Sequence, residues 1–407
     1  MILIKPSLYP TKRDPKFNLL SKVLINVEDK KNNHIFSENG VKNIQMMIVC
    51  IKIVFTSIFF DYDVSGVINE LNNGKKLKNF LKIHGDIPTD AQVYEYLSRY
   101  SPETYNKISN SFFKQFLKTN KRHISDLIVD ATSVACDINI LKEYIKPERL
   151  EKLNLNWGYS KNKGHYIGFK LTLVLERDSL CPVGILIHSG AKNDAKIFEE
   201  ILKELKRRRL LKKGQRILFD RGYYSYQNYI IGINRYHIIP IIFPRSSFKL
   251  SKLQSKMSSN LDMFKDLKTL NSKKQEFIEL TNELYKNLKN WKKLKPIRGI
   301  IEDFFKVAKD AFGLGEFHAY TDKSMRKNMY LCILLTTLVI QQGFKTKTQL
   351  QMLAEGRIEY NPVKAKKNKK SKQKKEKKEI KTVGKIETQQ ILLLTSTEIQ
   401  TTLAEFN

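Results

Sequence analysis

Cysteine is scarce in this sequence. Four residues in 407, Cys50, Cys136, Cys181 and Cys332, lie scattered, with no CxxC pair and no histidine at zinc spacing. That excludes a disulfide scaffold and a zinc site, and predicts reduced, mostly buried thiols in a cytosolic protein. Long apolar runs are also lacking. Met46 to Phe60 is interrupted by Lys52, and Tyr330 to Gln341 is shorter still; crossing a bilayer takes about 20 residues. Both read as buried helices. The opening MILIKPSLYPTKRD lacks the apolar core and cleavage site of a signal peptide, so a soluble, cytoplasmic protein with no membrane partner is expected. Acid is in short supply as well: 41 Asp and Glu face 73 Lys and Arg, a net charge of +32. Such a field favours a polyanion, nucleic acid first and an anionic membrane second. A lysine-rich coding bias accounts for part of the excess.

Residues 1–40 are polar, with Pro6, Pro10 and Pro15, and are expected to form a flexible arm. From 41 to 122 the period is helical. Thr89-Asp90 and Ser101-Pro102-Glu103 are helix starts, an N-cap followed by acid or proline. Lys75, Lys76, Lys78, Lys82, Arg99, Lys114 and Lys118 on these short helices suit a DNA-binding or dimerising module, or a plain helical cap on the next domain.

The pattern changes near 123. ISDLIVDATSV, YIGFKLTLVLE, VGILIHS, RILFD and HIIPIIFP read as strands, with helices at 194–211 and 224–235 between the later ones. Three strands, helix, strand, helix, strand make a mixed sheet with helices on its faces, an α/β domain over 123–345. Residues 246–296 read as a helical insertion carrying Leu267, Leu270, Phe277, Leu280, Leu284 and Leu288. From 346 to 407 lies a basic tail too charged to bury anything, expected to be largely disordered and to add salt-sensitive affinity for DNA.

Three acids stand out by position. Asp130 ends an amphipathic strand, Asp220 ends the strand RILF before a glycine turn, and Glu302 sits on the helix RGIIEDFFKVAK. Ligands gather at strand ends in open α/β sheets. Three hard oxygen donors suit two Mg²⁺ or Mn²⁺ ions, which can assist in-line phosphoryl transfer. On a helical wheel Arg298 and Lys309 share the face of Glu302, and both are candidate DNA phosphate contacts; an ordinary surface ion cluster is the plainer reading. Asp126, Asp303, Asp137 and Asp194 are weaker ligand candidates. His165 and His188 read as structural. Arg221 and Lys170 stand where a phosphate could pass, and Trp157 reads as a packing residue or a base-stacking one.

DATS at Asp130, FDRGYY at Asp220 and RGIIEDFFKVAK at Glu302 resemble the three acidic motifs of the DDE transposases of the IS4 type. That group's signature sets tyrosine, two residues, arginine, three, glutamate, six, lysine. Arg298, Glu302 and Lys309 match it, and Lys295 stands at the tyrosine position. WGYSKNKGHYIGFKLTLV and HSGAKNDAKIFEEIL resemble the family's second and third strands and first helix. The resemblance implies an RNase H-like fold over about 124–340, with Asp130, Asp220 and Glu302 as catalytic metal ligands. It implies a transposase dimer that nicks terminal inverted repeats in double-stranded DNA and joins the 3′ ends to target DNA. A nuclease of the same fold without strand transfer, and an inactive or domesticated DNA-binding descendant, are the alternatives.

Overall fold

The computed structural model describes residues 8–11, 14–119, 126–136, 147–160, 164–262, 271–315 and 321–358. The basic tail expected beyond 358 lies outside them, as do Asp137, Leu267 and Leu270. Six strands form one sheet: β1 (Leu127–Ala135), β2 (Asn156–Ser160), β3 (Gly164–Glu176), β4 (Pro182–Ser189), β5 (Arg216–Phe219) and β6 (Ile239–Ile242). Their order is β2-β3-β1-β5-β6, with β4 also on β3. β1 runs antiparallel to β3 and parallel to β5, and β5 runs parallel to β6. Flanked by helices, this mixed sheet has the α/β, RNase H-like organisation expected from the strand order.

The helices, in chain order, begin with α1 (Pro15–Glu28), α2 (Asn33–Glu38), α3 (Ile44–Phe60), α4 (Val64–Asn73), α5 (Lys75–Leu81), α6 (Asp90–Ser98), α7 (Pro102–Thr119) and α8 (Pro147–Lys152). After the fourth strand come α9 (Asp194–Arg207), α10 (Tyr226–Tyr236), α11 (Leu250–Asp262), α12 (Asn271–Lys289), α13 (Trp291–Lys306), α14 (Asp322–Gln341) and α15 (Lys347–Ala354). One sheet face, with Ile128, Phe169, Leu171 and Leu173, shares a continuous apolar core with α1 to α7, α13 and α14. The other face, with Val129, Val174, Ile217 and Phe219, is covered by α9, α10 and α12.

Where a loosely ordered arm is expected over 1–40, the chain is helical from Pro15. Asp14 caps α1 by accepting from the Lys16 N–H, and Pro15 takes the first helical position, where its missing N–H costs nothing. Phe17, Leu20, Val23, Leu24 and Val27 then come at helical spacing and are buried. The 246–296 stretch is likewise part of the core: Phe277, Leu280, Leu284 and Leu288 of α12 pack against the β5–β6 side of the sheet. No single described helix is long and apolar enough to cross a membrane; apolar α3 is buried and bends by 106° into α4.

Candidate active site

The sheet register brings the first two acids together. Val129 and Phe219 are Cα partners in the parallel β1–β5 pair, and that pairing ends with them. Asp130 and Asp220, 90 positions apart, are the next residue on each strand. β1 itself continues to Ala135 on β3. Asp130 therefore lies mid-strand, at the point where β1 loses its second neighbour, and not at a strand end. A parallel strand that stops beside a longer one leaves a cleft at its carboxyl end, the usual place for a ligand in such sheets. Asp220 leaves β5 into a single 3₁₀ turn, Arg221–Tyr223. Glycine at 222 lets the turn lie close to Asp194, whose carboxylate a Cβ there would meet at 2.8 Å.

The third acid arrives on α13, which packs across β1. The helix begins at Trp291, seven residues before Arg298, with Pro296 accommodated inside its second turn. Arg298 and Glu302 are one turn apart and share a face, as the helical wheel requires. The helix then widens into a π-helical turn over Val307–Ala311, which contains Lys309. Inserting a wider turn alters the angle at which Lys309 leaves the axis, so its alignment with Glu302 differs from the α-helical expectation.

Arg298 is the centre of the arrangement. Its Nη1 donates to Asp220 Oδ1 at 2.8 Å and its Nη2 to Asp130 Oδ2 at 3.2 Å. The same Nη2 donates to Glu302 Oε1. One guanidinium thus touches carboxylates from three segments of chain. Asp130 also accepts from the Ala131 N–H at 2.8 Å. Withdrawal from water pushes the Asp130 carboxyl up to about 7, against the pull of Arg298 and with a further push from Asp220 and Glu302.

The other candidates are placed differently. Asp126, four residues before Asp130, is buried and accepts from Arg216 at 2.7 and 2.8 Å and from Arg177 at 2.9 Å. Its charge is neutralised at the far end of the strand. Asp194 pairs with Lys170 at 2.6 Å, and the Lys170 ammonium also donates to the Lys192 carbonyl. This braces the turn that carries Asp220. His188 meets Glu200 at 2.9 Å in a structural pair; burial lowers its affinity for a proton, with Glu200 opposing. Asp303 is half-buried; burial raises its carboxyl, with Lys347 opposing and Glu302 adding to the rise. Arg221 is exposed. Trp157, expected to pack, is instead 54% exposed.

The sequence matches the transposase DDE domain family over residues 121–338. That is more than half of the chain and contains all three acids. The chain belongs to the transposase DDE domain family. No curated protein matches it by sequence. The family's divalent ion suits this donor set, which offers three carboxylates and neither thiol nor imidazole. Among the described residues, no group of three or more His, Cys, Asp or Glu side chains is yet drawn in closely enough to hold an ion. The guanidinium explains the spacing. Carboxylates hydrogen-bonded to nitrogens stand about 3 Å off, whereas Mg²⁺ draws oxygens to about 2.1 Å.

Proposed function

We propose that this chain is a DNA transposase of the IS4 type, which nicks the ends of a mobile element by metal-dependent hydrolysis and joins the freed 3′ ends to target DNA. The observation that supports this reading best is the convergence of Asp130, Asp220 and Glu302 on one guanidinium. Like charges repel and partial burial costs free energy, and a shared metal-binding role accounts for three such acids in one cleft.

Asp130, Asp220 and Glu302 are the residues that would hold two Mg²⁺ or Mn²⁺. Bound there, the ions would supply an activated attacking oxygen and offset charge on the leaving one. The protein's own part is positioning. β1 and β5 fix the two aspartates at one level, and α13 sets Glu302 opposite them. Arg298 and Lys309 hold phosphates of the strand to be cut, so that the reacting groups meet in line. Terminal inverted repeats and target DNA are the substrates, the working form is a dimer on DNA, and the site of action is the cytoplasm, at the nucleoid.

The test is cleavage and joining on DNA carrying the repeats that flank the gene, with Mg²⁺, for the wild type and Glu302→Gln. Metal-dependent 3′ nicks and joined products, both lost in the variant, are expected. Lys295 at the tyrosine position gives the alternatives their footing. Cleavage without joining would mean a nuclease of the same fold. Tight binding with no cleavage by either protein would mean a DNA-binding descendant of a transposase.

A further inference from the structure

No acid stands between Asp220 and Asp262, a stretch that holds Arg221, Arg235, Arg245, Lys249, Lys252 and Lys256. Arg235 pairs with Glu199 on α9. Arg221, Arg245, Lys249 and Lys252 are exposed and form no ion pair with a described acid. Unneutralised cations grouped on one surface raise a positive potential that attracts an anion.

The fold gathers these cations beside the catalytic acids. β5 and β6 run parallel, so the turn after Phe219 and the loop after Ile242 leave the sheet at the same edge. Arg245 Nε donates to the Arg221 carbonyl at 3.0 Å, which docks that loop on the residue following Asp220. Three rings support the cations. Tyr224 and Tyr226 lie 5.6 Å apart, and Phe248 stacks on Tyr226 at 6.1 Å. The Arg245 guanidinium lies 5.9 Å from the centre of the Tyr224 ring, and the Lys252 ammonium 5.5 Å from that of Tyr226. The Lys249 N–H donates to the Tyr226 hydroxyl at 3.1 Å and so fixes the backbone that carries its side chain. A ring face holds a cation in place without neutralising it, so the charge stays available to a ligand. The local potential shows in Tyr226. Burial would raise its phenol, but hydrogen bonds from Tyr224 and the Lys249 N–H, with the charges of Lys252 and Lys249, bring it below its ordinary value.

We propose that Arg245, Lys249 and Lys252 form a phosphate-binding ledge that grips the DNA backbone next to the scissile phosphate. The proposal rests on the transposase reading for the identity of the polyanion. Phosphates follow one another every ~3.4 Å along a strand, so a strand lying at Asp220 presents its next ones to side chains docked on residue 221. The rings face the cations and each other, which leaves the ledge to hold backbone and not to read bases.

The experiment measures duplex binding by the full-length chain over a series of salt concentrations, without divalent metal so that no cleavage intervenes. Arg245→Gln, Lys249→Gln and Lys252→Gln should each make the plot of log affinity against log salt shallower by about 0.9. The change should be the same for the flanking repeat and for an unrelated duplex. Arg245→Lys and Lys252→Arg should keep the wild-type slope. Lys206 is the control: it too lies over a tyrosine ring, that of Tyr236 at 5.9 Å, but just before β6 and so at the opposite edge of the sheet. Lys206→Gln should leave the slope as it is. Replacing single phosphates by neutral methylphosphonates locates the ledge, because those nearest the cut should weaken wild-type binding and matter less in Arg245→Gln. Wild-type slopes in all three glutamine variants would overturn the proposal. So would an equal drop in Lys206→Gln, which would mean a diffuse field, or the same response to methylphosphonates near the cut in wild type and Arg245→Gln. The transposase reading fails separately: metal-dependent cleavage that survives Glu302→Gln would sink it and leave these slopes untouched.

Discussion

Asp130 and Asp220 stand at one level because the residues before them, Val129 and Phe219, are partners in a parallel strand pair. The site is thus set by sheet register and not by a loop. A slip of one residue in β5 would turn Asp220 toward the opposite core and bring Phe219 into the cleft. The rigid strands leave the helix-borne Arg298 and Glu302 as the parts of the constellation free to adjust by side-chain rotation.

Arg298 occupies one oxygen of each of the three carboxylates, so a metal ion drawing on the same oxygens would compete with it. In Arg298→Gln three acids face each other without a counter-charge, so the metal-free protein should lose about 3 kcal/mol of stability. Mn²⁺ binding should become tighter, because no guanidinium has to leave. Calorimetric titration with Mn²⁺ and melting with and without the ion would check both effects. A variant that melts and binds Mn²⁺ like the wild type would show that the guanidinium and the ion do not compete.

Gly222 lets the Asp220 turn lie against Asp194, which Lys170 holds in place at 2.6 Å. Gly222→Ala should displace the turn by a fraction of an ångström and slow cleavage about tenfold, since a shift of about 1 Å can cost 100-fold. DNA affinity should hardly change. Adding Asp194→Ser makes room for the new methyl group and should recover part of the rate. No recovery would mean that Asp194 is not what the methyl group meets.

Away from the site, Lys52 of α3 is buried and donates to Glu28 at 2.7 Å and to the Leu81 carbonyl at 2.8 Å. Burial alone would raise the Glu28 carboxyl, but hydrogen bonds from Lys52 and Lys82 hold it below its ordinary value of 4.5. A depressed acid contributes stability that is present above its unfolded value and lost as pH falls through the folded one. Melting temperature should therefore drop below about pH 4.5 in the wild type, and less steeply in Glu28→Gln. At neutral pH Glu28→Gln leaves the ammonium of Lys52 short of a counter-charge and should cost about 3 kcal/mol. Replacing Lys52 by Met in that background should restore much of it.

Much of this arrangement is legible in the sequence because it is written in local periods. Alternation marks β1 and β3, and the apolar runs RILF and HIIPIIFP mark β5 and β6. Asp130 and Asp220 show through as acids directly behind such runs. β2 is not legible: its two aromatics alternate with Asn, Gly and Ser, but five residues centred on a glycine are too short a pattern, and only pairing with β3 makes them a strand. One proline misleads: Pro15, read within a flexible arm, starts α1. The contact of Arg298 with Asp130 and Asp220 has no local signal, since it spans 168 and 78 positions. The π turn at Val307–Ala311 leaves no mark in residue types either, because a hydrogen-bond shift of one residue changes geometry and not polarity.

Lys309 offers a clean separation between DNA contact and catalysis. It lies on the π turn, seven residues beyond Glu302 and past the end of α13. If it holds a DNA phosphate, Lys309→Ala should weaken binding to all sequences alike, because phosphate contacts carry no base information. The plot of log affinity against log salt should become shallower by about 0.9, the share of one counterion-releasing contact on duplex DNA. Mn²⁺ affinity should stay at the wild-type value, in contrast to Arg298→Gln. Binding isotherms over a series of salt concentrations, for the flanking repeat and for an unrelated duplex, measure both quantities at once. An unchanged slope would place Lys309 in the scaffold of the catalytic helix, and a loss confined to the repeat would make it a reader of sequence.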